Sequence, residues 1–159
     1  MSSACLARPY KNAGRSRCEA KGWEPHAGDE APKDLDPALC AEIERAEAAL
    51  ERVEGAEEED ALVYSKDALR RASTFLNAQS AHSRKMYGVF APVPDIGGGP
   101  NGSVDLHWRR KDCELLVNIP ASDKELAAFY GDDYGTCKIK GSFDPTDFDF
   151  GIIMWLMKN

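Results

Sequence analysis

The sequence predicts an α+β domain: an N-terminal helical hairpin packed on a four- to five-stranded antiparallel meander, closed by a short C-terminal helix. Three observations predict it. Residues 103–120, SVDLHWRRKDCELLVNIP, alternate strictly between apolar and polar on both sides of a charged turn, which is the period of a half-buried strand. Residues 36–87 instead space their apolar side chains by three and four, the period of a helix with one buried stripe. The helical signals precede the strand signals and do not interleave with them, so the helices cover one face of an antiparallel sheet.

Residues 1–35 mix Pro, Gly, Ser and both charges without apolar periodicity and read as a flexible tail. Trp23 stands alone in it, placed to dock on the domain or on a partner. The first helix starts at Asp36-Pro37, where Asp is a good N-cap and Pro loses no needed donor. Leu39, Ile43, Ala46, Leu50 and Val53 form a narrow seam, and Gly55 is placed to end it. A homodimer through residues 39–53 is one use of such a seam. The second helix is expected from Glu58 to Met86, with Leu62, Leu69 and Leu76 at heptad spacing and Gly88 as its stop.

From Val89 the texture changes, and residues 88–159 are expected to form the sheet. Pro92 to Gly102 reads as a stiff loop. In the hairpin that follows, Val104, Leu106 and Trp108 share one face, as do Cys113, Leu115, Val117 and Ile119. Pairing 108 with 113 carries 106 onto 115 and 104 onto 117, and it sets His107 opposite Glu114. Leu126–Tyr130 is the third strand, Gly131–Gly135 a turn, and Cys137–Phe143 the fourth strand. The stretch from Asp149 to Lys158 is apolar all round; a helix capped by Asp147 or Asp149 is favoured over a fifth strand.

The chain has 159 residues and a net charge of −7. An acidic whole argues against direct nucleic-acid binding, which needs a basic field. The charge is uneven: residues 37–61 carry nine acidic groups against two basic, whereas residues 62–90 carry five basic against one acidic. The longest apolar run, Phe150–Met157, is too short to span a membrane. Five cysteines without a CxxC pair suit a reducing cytoplasm better than a disulfide framework.

The segments PDIGGGPNGSVDLHW (94–108), ELLVNIP (114–120) and FYGDDYG (129–135) together resemble a set of small bacterial and phage α+β proteins. That set shares a Pro/Gly-rich loop and a strand ending in an aromatic residue. The resemblance spans residues 88–157 and implies a cytoplasmic α+β domain of bacterial or phage origin. It implies no catalytic residue, and no cofactor is expected.

Three sets of side chains are candidates for function. His107 with Glu114 has the makings of a general base, or of a solvated cross-strand pair. The acidic loops bring Asp132 and Asp133 in one turn and Asp144, Asp147 and Asp149 in another. Several carboxylates can hold a hard cation, but the D-x-x-D-x-D spacing does not match the calcium-loop pattern, and turn capping explains Asp equally. Tyr130 and Tyr134 flank the Asp132-Asp133 turn as potential contact residues, and Glu44, Glu47 and Glu51 make an acidic helix face. The leading expectation is therefore a non-enzymatic module that binds another protein: an adaptor, an antitoxin-like neutraliser, or an inhibitor of a nucleic-acid-processing machine. The alternative is a metal-dependent hydrolase or nuclease using Asp132, Asp133, Asp144 and Asp147 with His107.

Overall fold

Asp36 opens the first helix as expected: its Oδ1 accepts the Ala38 N–H at 2.9 Å, and Pro37 is the first helical residue. This comes from a computed structural model, which describes residues 36–54, 64–135, 137–146 and 150–158. Helix α1 runs Pro37–Glu54. Its seam residues Leu39, Ala46 and Leu50 are buried in the chain's own core, and Ile43 packs against them. The seam is therefore covered from within, which corrects the expectation of a dimer through residues 39–53. The tail 1–35, Trp23, Gly55, Leu62 and the side chain of Val53 lie outside the described residues.

Helix α2 runs Lys66–Tyr87 and begins later than the heptad spacing suggested. Ser65 is its N-cap: the backbone there is extended, and the hydroxyl accepts the Ala68 N–H at 3.0 Å. Tyr64 precedes the cap, buried, with its hydroxyl donating to the Ala46 carbonyl at 2.6 Å. A helix cannot run unbroken through an extended Ser65, so one continuous helix from Glu58 to Met86 fails at this point; residues 58–63 lie outside the described residues. Gly88 stops α2 in the left-handed region at φ 72°, donating to the Arg84 carbonyl.

Five strands follow: β1 (Asp95–Gly98), β2 (Val104–Arg109), β3 (Glu114–Ile119), β4 (Ala127–Asp132) and β5 (Lys138–Phe143). They lie in sequence order, every neighbour antiparallel. The alternation of β2 and β3 holds: Val104, Leu106, Trp108, Leu115, Val117 and Ile119 are all buried. Trp108 donates from Nε1 to the Pro92 carbonyl at 2.7 Å, which satisfies its one polar atom. The register is two residues from the expected one, with Trp108 opposite Leu115 and Val104 opposite Ile119. Arg110 N–H donates to the Cys113 carbonyl at 2.9 Å, so Cys113 closes the turn instead of pairing with Trp108.

Two more differences follow from packing. β1 lies inside the predicted loop. β4 continues through Gly131 and Asp132, which were expected in a turn. Gly131 is needed there because a Cβ would sit 2.8 Å from Ile139 Cγ1 and 3.0 Å from the Trp155 ring. The last segment is helix α3 (Phe150–Lys158), with Ile152, Ile153 and Leu156 buried. Arg110 caps its C-terminal turn by donating to the Leu156 carbonyl at 2.9 Å. One core joins helices and sheet, with Phe75 and Leu76 of α2 and Leu156 of α3 over the apolar face of the strands. No described helix is long and apolar enough to cross a membrane.

The two edges of the sheet differ. At β1, Ile96 turns its N–H to Glu42 Oε1 and its carbonyl to Arg45 Nη2, both at 2.8 Å. Two side chains of α1 thus take the place of a neighbouring strand. Among the described residues nothing does the same for β5.

Candidate interaction surface

Strand alternation and register together build the face of the sheet away from α2 and α3. Two cross-strand rows run along it. The first reads Asp95, His107, Leu116, Tyr130, Lys140; the second reads Arg109, Glu114, Asp132, Lys138. Leu116 is half-buried at its centre, while Tyr130, Lys138 and Lys140 are exposed.

Asp132 organises one end of this face. Lys138 pairs with its Oδ2 at 3.0 Å, the Tyr130 hydroxyl donates to the same oxygen at 3.0 Å, and Tyr134 N–H donates to Oδ1 at 2.8 Å. The Lys138 ammonium, chiefly, holds the Asp132 carboxyl below the usual carboxylate range, against partial desolvation. Asp132 in turn raises the Lys138 ammonium above the ordinary lysine value. Tyr134 sits at φ 55°, a backbone conformation uncommon for a bulky residue. Asp133 fixes the loop around it, its Oδ1 accepting from Gly135 N–H at 2.9 Å and Cys137 N–H at 3.0 Å. The loop leaves the Tyr134 side chain exposed, with Glu114 near enough to act on its phenol. Desolvation first, then the Glu114 carboxylate, pushes its phenol above the ordinary value. Asp132 therefore links Tyr130 through its hydroxyl and Tyr134 through its backbone N–H, while Asp133 acts as a turn cap beside them.

His107 meets Glu114, but not as its direct partner. Glu114 stands opposite Arg109, and the His107–Glu114 contact is a diagonal one at 3.5 Å between Nε2 and Oε2. Arg109 Nε donates to His107 Nδ1 at 3.1 Å. Arg109 Nε also lies 3.5 Å from Nε2, so charged neighbours engage both ring nitrogens. The geometry is that of a structural pair, and it corrects the expected direct opposition.

The acidic loops do not converge. Asp132 pairs with Lys138 at one end of the β4–β5 ladder, whereas Asp144 follows Phe143, which pairs with Ala127 at the other end. Five residues of strand separate the two ends, about 17 Å. That is far beyond the reach of one shared ion. Asp144 caps its own turn, its Oδ1 accepting from Thr146 N–H at 2.9 Å and Thr146 Oγ1 at 2.7 Å. Those two bonds hold its carboxyl below the usual range. Asp147 and Asp149 lie outside the described residues, and among the described ones no three His, Cys, Asp or Glu side chains gather as metal ligands would.

Glu44, Glu47 and Glu51 are exposed on α1, in the helical layer and apart from the tyrosines. Glu47 and Glu51 line a groove of about 450 Å³ whose opposite wall carries Lys66 and Arg70 of α2. The acidic face thus looks at the chain's own cations. Sequence reasoning set Lys140 and Arg109 on outward strand faces without counting them as site residues, and it missed the Glu42–Arg45 pair. The first two were legible from strand parity; the pair depends on a contact with β1 that no local pattern shows.

No protein-family model matches this chain, and neither a curated protein nor a solved structure matches it.

Proposed function

We propose that this chain is a non-enzymatic protein-binding module that acts through the uncovered face of its sheet. The observation that carries this reading is the Tyr130–Asp132–Tyr134–Lys138 cluster. Asp132 accepts the Tyr130 hydroxyl and the Tyr134 backbone N–H, so it fixes the Tyr130 ring and the backbone from which the exposed Tyr134 ring projects. Rigid aromatic side chains with a polar tip are the commonest anchors of protein interfaces. Leu116 extends the apolar floor, and the charged row beside it supplies a polar rim.

The face carries Asp95, Glu114 and Asp132 together with Arg109, Lys138 and Lys140, so its charge is mixed. A mixed face suits an adaptor better than a mimic of nucleic acid, and the presence of Lys66 and Arg70 in the same groove as Glu47 and Glu51 points the same way. Cytoplasmic residence belongs to this reading, supported by five cysteines without a CxxC pair in the sequence.

The test is co-purification of the tagged full chain from its native source, with quantitative mass spectrometry, against a Tyr130→Ala/Tyr134→Ala variant. The reading expects one or more proteins recovered with the parent and depleted at least tenfold with the variant. Recovery of both forms alone and monomeric would sink it.

A further inference from the structure

The hydrogen-bond pattern of the sheet assigns a direction to every backbone group of β5. In an antiparallel ladder each residue turns both its N–H and its C=O to one neighbour, and successive residues alternate. Asp133 N–H donates to the Cys137 carbonyl at 3.1 Å, one step beyond the last β4–β5 pair. Counting back by twos, Gly131–Ile139, Phe129–Gly141 and Ala127–Phe143 are the hydrogen-bonded pairs. Lys138, Lys140 and Ser142 therefore turn their backbone groups to the open side. The other edge gives the same answer independently: Ile96 points outward to Glu42 and Arg45, and stepping through the four registers from Ile96 again leaves Lys138, Lys140 and Ser142 outward.

We infer that β5 accepts an extended segment of a partner protein as a sixth strand, with acidic residues at alternate positions of that segment. This rests on the protein-binding reading and names the partner's chemistry. Three donors and three acceptors wait along the edge, and among the described residues none has a partner. An incoming antiparallel strand that bonds to Lys138, Lys140 and Ser142 sets its own side chains at those positions on the open face, beside two ammonium groups. Asp132 already neutralises Lys138, but no described side chain pairs with Lys140. The intervening residues of the guest fall on the other face, beside Ile139 and Phe143, where apolar side chains fit. The preferred guest thus alternates carboxylate and apolar residues. The same lysines disfavour lysine-bearing edges, including β5 of a second copy set with Lys140 opposite Lys140.

The experiment uses the ¹⁵N-labelled full chain and a capped nonapeptide alternating Glu with Val and Thr. The expected result is saturable shift changes at the Lys138, Lys140 and Ser142 amides, with exchange there slowed at least tenfold. N-methylating the peptide at its Glu amides, which face β5, abolishes binding; N-methylating at Val and Thr does not. A peptide with Lys for Glu binds at least tenfold more weakly, and Lys140→Glu reverses that preference. Equal binding of both peptides, insensitivity to the N-methyl position, concentration-dependent dimerisation through β5, or no shift in β5 would each overturn the inference. If β5 stays silent while Tyr130→Ala/Tyr134→Ala still loses co-purified protein, strand addition fails and the protein-binding reading stands.

Discussion

Glu42 accepts the backbone N–H of Ile96 at 2.8 Å, a bond between a helix side chain and a strand edge that are 54 residues apart. Arg45 holds the Ile96 carbonyl and is itself paired with Glu42, so three groups close the β1 edge together. Glu42→Ala removes the acceptor and frees Arg45. The expected loss is about 1–3 kcal/mol, the range for stranding a half-buried donor. Urea unfolding followed by Trp fluorescence reads it. The variant should also self-associate more readily, because an uncovered edge invites another strand.

Gly131 and Gly97 make a matched pair of tests. Alanine at 131 would press its Cβ onto Ile139 and Trp155, and the expected cost is about 1–3 kcal/mol from overpacking. Alanine at 97 meets nothing within 4 Å, and its backbone is not left-handed. Gly97→Ala should leave stability unchanged or raise it by up to about 1 kcal/mol through the unfolded state. Equal effects at the two sites would contradict the placement of Trp155 over β4.

Trp108→Phe keeps most of the buried ring but leaves the Pro92 carbonyl without its donor. A loss of about 1–3 kcal/mol is expected from the same unfolding measurement, combining the stranded carbonyl and the smaller ring.

Acid should unfold the chain through three carboxylates. Glu42, Asp132 and Asp144 have folded values below their ordinary ones, held there chiefly by Arg45, Lys138 and Thr146 respectively. A depressed folded value means that the unfolded chain binds protons first. Their stabilisation is therefore complete above the unfolded carboxylate value of about 4 and is lost as pH falls through the lower folded values. Stability measured from pH 6 to pH 2 should drop within that window, and Glu42→Gln should make the drop shallower.

The parts of this fold that were legible in the sequence are those whose cause is local. β2 and β3 announce themselves because one face is fully buried and every second residue must comply. Parity alone allows shifts of two, however, and the turn bond from Arg110 to Cys113 chose the register. Asp36 and Gly88 marked their helix ends through cap chemistry within a few residues. β1 was illegible because Asp-Ile-Gly-Gly has no strand-forming character of its own; it is a strand because β2 pairs with it on one side and Glu42 and Arg45 hold it on the other. The start of α2 was hidden by a leucine spacing that outweighed the Ser65 cap. In the candidate surface, Tyr130 and Tyr134 were legible as residues flanking the Asp132-Asp133 turn, but that Tyr130 and Asp132 share a strand face was not, because β4 runs two residues further than expected. The separation of Asp132 from Asp144 was not, since it depends on both lying at opposite ends of one strand pair.

The two sheet edges differ in how their backbone groups are covered, and amide hydrogen exchange of the free full chain resolves that difference residue by residue. The amides of Ile139, Gly141 and Phe143 should exchange slowly, as should that of Ile96 under Glu42. Those of Lys138, Lys140 and Ser142 should exchange at least a hundredfold faster than their neighbours in β5. Slow exchange at Lys140 and Ser142 would show that the β5 edge is already covered and would contradict the account.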